Sequence, residues 1–261
     1  MNEQVERDVM EYDVLIIGGG PSGLSSAIKV KQLANAEGKD VSVCVLEKGS
    51  EIGAHILSGN VFEPTALNEL IPDWKEKEAP LNSPATKDIV KFMISENSSI
   101  NIPFPSFLIP TFNNHGNYVM SLANFTRWLA TQAESLGVEI FPGFTAAEVI
   151  FEENVVKGVL TGEMGISKDG EKKPSYQPSM ELRGKYTVFA EGCRGHLGKQ
   201  LIKKFNLDEN RDPQHYGIGF KEIWDISPED HKEGTVMHTM GWPSNGTISG
   251  SYFYHGENNQ V

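Results

Sequence analysis

The sequence predicts an α/β fold built on a parallel sheet, and three observations predict it. The apolar run DVLII (residues 13–17) passes through the glycine cluster GGGPSG directly into the helical pattern LSSAIKVKQLA. A second buried strand, VSVCVLE (residues 41–47), follows that helix and makes the opening a βαβ unit. Much later KYTVFAEG, another apolar strand, ends on a further glycine site and leads into the helical HLGKQLIKKF. Short apolar runs bounded by turn residues mark strands buried on both faces, and a glycine cluster between strand and helix is the tight turn of a Rossmann-like unit.

The elements follow in order. The first helix ends in the polar turn EGKD. Residues 49–117 form a long excursion, rich in proline and poor in periodicity, within which Pro64 starts a helix carrying Leu67, Leu70, Ile71 and Trp74 on one face. LANFTRWLATQAESLG is an amphipathic helix stopped at Gly137, and VEIF is the strand after it. TAAEVIFEE and NVVKGVLTGEM read as a hairpin turning at Asn154. GISKDGEKKPSYQPSM is charged, rich in turn residues and expected as a surface loop. From Gln214 the pattern becomes short alternating segments, HYGIGFKEIW, GTVMHTMGWP and SGSYFYH, the start of an antiparallel β domain. That pattern stops at Val261 in mid-course, so a truncated second domain is expected over residues 206–261, after a first domain over 11–205.

Composition narrows the function. With 35 acidic and 23 basic residues the formal charge is −12, which excludes nucleic acid as a partner because phosphate binding needs a clustered positive surface. The 2 cysteines, Cys44 and Cys193, cannot alone frame a metal or iron–sulfur site, which takes about four ligands. They are expected as reduced thiols of a cytosolic protein, with a lone disulfide as the alternative. The start, MNEQVERDVMEY, lacks the apolar core of a signal peptide and the arginines of a transit peptide, and no apolar run reaches the ~18 residues of a membrane span. His55, His115, His196 and His238 are scattered without metal-ligand spacing and are expected in structural roles. No hydrolytic triad order or metalloprotease motif occurs.

The glycine cluster carries the chemistry. Gly18, Gly20 and Gly23, with Pro21 and Ser22 between them, occupy the positions of a dinucleotide fingerprint. Gly18 permits the turn, Gly20 lets a pyrophosphate approach the backbone, and Gly23 allows the helix to sit close to the strand. Glu47, at the end of the next strand and followed by Lys48, places a carboxylate where ribose hydroxyls donate. The second strand-end site, with Glu191 and Gly192, reads either as a plain strand-to-helix turn or as a second grip on the same molecule. Two grips on one long cofactor favour FAD over a nicotinamide dinucleotide.

A resemblance sharpens this reading. YDVLIIGGGPSGLSSAIKVKQLA, EKGSEIGAHILSGNVFEPTALNELIPDWKEKEAPL, NNHGNY, AEGCRGHLGKQL and QHYGIGFKE together resemble the electron transfer flavoprotein-ubiquinone oxidoreductase family, from Glu11 over nearly the whole chain. That family passes electrons from reduced electron transfer flavoprotein to ubiquinone at a membrane surface, using FAD and a 4Fe-4S cluster. The resemblance implies a Rossmann-like FAD-binding domain of the glutathione-reductase type, with residues 14–28 as the first FAD segment and Glu47 as ribose ligand. It places Gly53, Ala54 and Ser58 beside the flavin, and the stretch SGSYFYH at the quinone pocket, with Ser249 and Gly250 where the family has a glycine pair and this chain departs with a serine. The cluster cysteines, and a further flavin contact, are implied to lie beyond this chain.

The resemblance also implies membrane contact through the helix region, with Phe62, Leu67, Leu70 and Ile71; the proline-broken run FPSFLIPTF, with Phe104, Phe107, Leu108 and Ile109, is a second candidate for such contact. On the residues alone both segments read as core. Because an anionic leaflet repels an acidic face, contact is expected to rest on apolar burial. The implied partners are electron transfer flavoprotein, ubiquinone and a membrane surface. The implied place is peripheral, on the cytoplasmic face of a bacterial inner membrane or the matrix face of a mitochondrial one. Such an enzyme works by placing redox centres, so no catalytic acid or base is assigned. The alternatives are an FAD monooxygenase or isoprenoid reductase of the same fold fed by NAD(P)H, and a nucleotide-binding or assembly fragment without turnover.

Overall fold

A computed structural model describes residues 7–57, 59–103, 113–244, 246–247 and 249–261. In chain order the first elements are β1 (Val9–Ile17), α1 (Pro21–Ala36), β2 (Val43–Glu47), β3 (Asn60–Phe62), α2 (Thr65–Leu70) and β4 (Ser83–Pro84). There follow β5 (Lys87–Ser95), β6 (Ser98–Asn101), β7 (Tyr118–Met120), α3 (Leu122–Ser135), β8 (Glu139–Pro142), β9 (Ala146–Glu152) and β10 (Val155–Thr161). The last are β11 (Met164–Ile166), β12 (Lys172–Gln177), β13 (Glu181–Phe189), α4 (His196–Phe205), β14 (Thr235–Gly241) and β15 (Gly250–Tyr254). The chain divides into two compact units, Met1–Ile56 with Thr126–Tyr216, and Leu57–Phe125 with Gly217–Val261.

The first unit holds a six-stranded sheet in the order β8-β2-β1-β13-β10-β9. β1 is parallel to β2 on one side and to β13 on the other, with Val14 opposite both Val43 and Tyr186. Leu15, Ile16, Val43, Cys44 and Val45 are buried, as uninterrupted apolar runs require of strands covered on both faces. The predicted βαβ opening is therefore present, and so is the hairpin, β9 pairing antiparallel with β10. Its left-handed residue is Glu153 (φ 54°), one position before the predicted Asn154. α3 ends as predicted at Gly137, whose φ of 82° suits a residue without a Cβ. The predicted loop of residues 165–180 instead contains the two-stranded ribbon β11-β12. Its residues are mostly exposed, so no apolar alternation announces it.

The second unit holds a four-stranded sheet, β15-β14-β5-β6, and a three-stranded one, β3-β7-β4. Of the three segments read as β from Gln214 onward, two form the antiparallel pair β14 and β15. HYGIGFKEIW forms no strand; glycines at 217 and 219 interrupt it, and among the described residues only Trp224 is tied by backbone bonds, to Val261 at 2.9 Å in each direction. The excursion supplies the rest of the sheet, because β5 pairs with β14 in parallel from Lys87 opposite Thr235 to Met93 opposite Gly241.

Two of the residues assigned to membrane contact, Leu67 and Ile71, are corrected here. Leu67 and Ile71 are 3% and 2% exposed and Trp74 is 5%, so the apolar stripe of α2 is a core face of its own unit. Trp74 donates its indole N–H to Asn68 Oδ1 at 2.7 Å and meets the Tyr118 ring edge-on at 5.8 Å. Phe62 and Leu70 are half-buried, Phe62 lying 4.9 Å from the Phe125 ring. Phe104, Phe107, Leu108 and Ile109 lie outside the described residues. Among the described residues no helix is long and apolar enough to cross a membrane.

Candidate functional site

The carboxyl ends of β1, β2 and β13 meet at one edge of the first unit's sheet. Gly18 donates its N–H to Leu46 O, and Ala190 donates to Ile17 O, each at 2.8 Å. Gly18 has φ 111°, and a Cβ there would stand 2.4 Å from Ala190 O. A Cβ on Gly23 would stand 2.0 Å from Gly18 O, so α1 is seated directly on the turn. Both are positions that only glycine fills. Gly20 differs: it is the N-cap of α1, with ordinary dihedrals and no heavy atom within 4 Å of where a Cβ would be.

α1 begins with Pro21 and has no side-chain cap and no acidic residue in its first turn. First-turn N–H groups have no acceptor within their own helix, and the positive end of the helix dipole adds to them. The end of α1 is thus fitted to a phosphate. Gly19, which the fingerprint spacing does not single out, also serves the turn, since a Cβ there would meet Ile52 Cδ1 at 2.5 Å. The run of three glycines was its signal.

Glu47 stands beside this turn. Its Oε2 accepts the Gly19 N–H at 2.9 Å and its Oε1 accepts the Gly49 N–H at 2.7 Å. A carboxylate offers about four acceptor positions, so both oxygens retain one for a hydroxyl donor. Lys48 is exposed next to it. Gly53 is buried with φ 85°, Ala54 is exposed, and Ser58 lies outside the described residues. The turn between Glu51 and Ala54 is tied to α3 by the pair Arg127–Glu51 at 3.1 Å.

At the second glycine site the Glu191 carboxylate is engaged within the chain. Glu191 accepts the N–H of Leu197 at 3.2 Å and of Gly198 at 2.8 Å, and His196 Nδ1 lies 3.4 Å from its Oε1. Its carboxylate caps α4 from a few residues upstream. Gly192 turns the chain away with φ 78°, exposed beside Cys193. Cys193 and the buried Cys44 are both free thiols, and burial pushes the Cys44 thiol up to about 12.

The second unit contains a cleft of about 770 Å³, lined among others by Val119, Ile218, Phe220, Trp224, Tyr252 and Tyr254. Lys221 enters it, donating from Nζ to Gly59 O at 2.6 Å with the Tyr252 ring 5.4 Å away. Gly250 lines the cleft, and a Cβ on it would stand 2.6 Å from Thr239 O, so glycine lets β15 close on β14. Ser249 is exposed just before it, its Oγ in contact with Ser244 Oγ. Tyr252 and Tyr254 stack at 4.8 Å, and the Tyr254 hydroxyl lies 3.2 Å from His238 Nε2. Burial pushes the Tyr254 phenol up and the His238 imidazole down, the latter against the pull of Asp88. Sequence reasoning passed over Lys221 and gave His238 a structural role; both tyrosines lie in SGSYFYH, the stretch that the resemblance put at the quinone pocket.

A strand, glycine turn and helix with a carboxylate at the next strand end define a Rossmann-like dinucleotide-binding protein, and residues 16–71 match the family model described as "NAD(P)-binding Rossmann-like domain". The fold is shared with solved structures. A geranylgeranyl bacteriochlorophyll reductase-like protein from Thermoplasma acidophilum aligns over 97% of this chain and 55% of its own at 18% identity, TM-score 0.63. A flavoprotein/dehydrogenase from Cytophaga hutchinsonii aligns over 88% and 50% at 18% identity, TM-score 0.50. At such identities the likeness shows the fold alone.

Residues 216–261 match the model described as "ETF-QO, ubiquinone-binding". The chain is 59% identical to electron transfer flavoprotein-ubiquinone oxidoreductase of Pseudomonas aeruginosa, over 98% of this chain and 47% of that protein. It is 50% identical to the mitochondrial protein of that name from Homo sapiens, over 96% and 40%. The chain belongs to the electron transfer flavoprotein-ubiquinone oxidoreductase family, matching the N-terminal part of its members. It spans less than half the length of these relatives.

Proposed function

We propose that this chain is the FAD- and quinone-handling part of an oxidoreductase that passes electrons from reduced electron transfer flavoprotein to ubiquinone at a membrane surface. The observation that carries the reading is the coincidence of a fold and a family. The segment matching the ubiquinone-binding model supplies most of the cleft lining, including Ile218, Phe220, Trp224 and Gly250 to Tyr254. A mostly apolar cleft with a few polar groups suits a quinone ring and its isoprenoid tail.

In this reading the turn from Gly18 to Gly23, with Pro21 and Ser22 opening α1, holds the FAD pyrophosphate. Glu47 accepts from the ribose, with Lys48 at the rim. Gly53, Ala54 and Ser58 border the flavin, and Gly192 lets the chain pass close by. Glu191 acts through the helix it caps. FAD, when bound, supplies the electron-accepting and electron-donating chemistry. The protein's own residues bind and orient it and, through the apolar strands beneath, keep water from the sheet side. Ser249 and Gly250 open the quinone cleft. A 4Fe-4S cluster takes about four thiolates; Cys44 and Cys193, one buried and one exposed, do not fit it. Membrane contact, peripheral on the cytoplasmic or matrix face, is left to residues other than Leu67 and Ile71.

Anaerobic flavin absorbance of the holoenzyme tests this. Reduced electron transfer flavoprotein bleaches the flavin band, a short-chain ubiquinone restores it, and NADPH leaves it unchanged. Bleaching by NADPH in place of the flavoprotein moves the protein to the monooxygenase or isoprenoid reductase class and overturns the reading.

A further inference from the structure

Reduction of a quinone to a quinol takes up two electrons and two protons, and a titratable group that lines the cleft can deliver the protons to the ring. We propose that Tyr254 and His238 are the proton route into the cleft, with Tyr254 as the catalytic donor and His238 as the positioning residue behind it. The inference rests on the quinone reading of the cleft and adds to it the source of protons.

The geometry supplies each link. Tyr254 lines the cleft, stacks on Tyr252, and packs its ring against the buried cluster of Ala85, Val119 and Val236. Its hydroxyl reaches His238 Nε2 at 3.2 Å, and the two rings meet edge to face at 5.7 Å. His238 lies on β14 and Tyr254 on β15, so the pair is fixed by the antiparallel ladder and not by a loop. Titratable groups that bear on the pair include Asp88 from β5 and Tyr252 from β15. The three-stranded sheet contributes to this cluster Val61 and Val119, neither of them ionisable. Asp88 is itself held by the Asn114 backbone N–H at 3.0 Å and side-chain amide at 2.6 Å.

The step balances simply. The two electrons come from reduced electron transfer flavoprotein. As the quinone takes them up, the Tyr254 O–H bond breaks and a new O–H forms on a quinone oxygen. His238, having taken a proton from water with the Asp88 carboxylate favouring its charged form, gives up its Nε2 proton to the Tyr254 oxygen. A second passage delivers the second proton, and both side chains return to their starting states. Burial raises the Tyr254 phenol, so the hydroxyl is protonated and ready across the working range, while burial lowers His238, so it releases its proton readily.

The test uses the holoenzyme with reduced electron transfer flavoprotein as donor and two acceptors, a short-chain ubiquinone that takes up protons and ferricenium that does not. Tyr254→Phe keeps the ring and its packing and removes only the hydroxyl. The ratio of quinone to ferricenium turnover falls by about tenfold or more in this variant, with quinone KM little altered. His238→Gln lowers the same ratio and removes the fall of quinone turnover at high pH, and the NMR titration of the His238 imidazole shifts in Tyr254→Phe. An unchanged ratio and pH profile in both variants overturns the proposal while leaving the quinone reading intact. A parent enzyme that reduces ferricenium but not quinone overturns the quinone reading, and the proposal with it.

Discussion

Gly18, Gly20 and Gly23 lie within one turn of chain and answer the same substitution in different ways. A methyl group on Gly23 meets Gly18 O at 2.0 Å, and one on Gly18 meets Ala190 O at 2.4 Å in a backbone conformation with φ 111°. Gly18→Ala and Gly23→Ala therefore each lower stability, by about 1–3 kcal/mol or more, in urea unfolding of the apoprotein. The need for glycine at 18 and 23 was legible because backbone conformation and close approach dictate the residue type there. Glu191 was not. An acid at a strand end is also an acid a few residues before a helix, and only the placement of the Leu197 and Gly198 N–H groups shows that α4 takes both its oxygens.

At the scale of elements, that cap makes α4 a test of the assignment. Glu191→Ala removes the acceptor for two backbone donors and costs about 1 kcal/mol of stability in denaturant titration, and Gln, which keeps one acceptor oxygen, recovers part of it. A cofactor ligand without a structural role would show the opposite pattern, lost FAD affinity at unchanged stability. The helix α2 carries a related lesson. The spacing of Leu67, Ile71 and Trp74 shows that one face is apolar, but periodicity does not say what covers it; the chain's own core does. Likewise β5 and β14 pair across the span from Lys87 to Thr235, for which no local signal exists.

Over the whole molecule, two half-buried histidines of the second unit set a pH dependence. Burial holds both His238 and His255 below the ordinary imidazole range, and for His255 the neighbouring His231 and Lys232 add to it. In the unfolded chain they bind protons at the usual value of about 6.5. Their folded-state stability is thus fully present above that value and is lost as the pH falls toward their folded values. The melting temperature is expected to drop between pH 7.5 and pH 5.5, and His255→Asn flattens the slope. The carboxylates act later: Asp13, held down to about 2 by Lys185 and Ser42, keeps its contribution until the pH falls below the ordinary carboxylate range.

The central claim is that the strand-end turn of the first unit is a dinucleotide cradle fitted to FAD. Gly20 tests it most directly, because the fold leaves room for a side chain there and a pyrophosphate does not. The measurement is FAD affinity by fluorescence titration of parent and Gly20→Val, with the apoprotein melting temperature taken alongside. The account predicts an apoprotein melt close to that of the parent and FAD binding weakened by about a hundredfold or more, as expected when a close phosphate approach is blocked. FAD affinity equal to that of the parent, in a variant that folds, would contradict it.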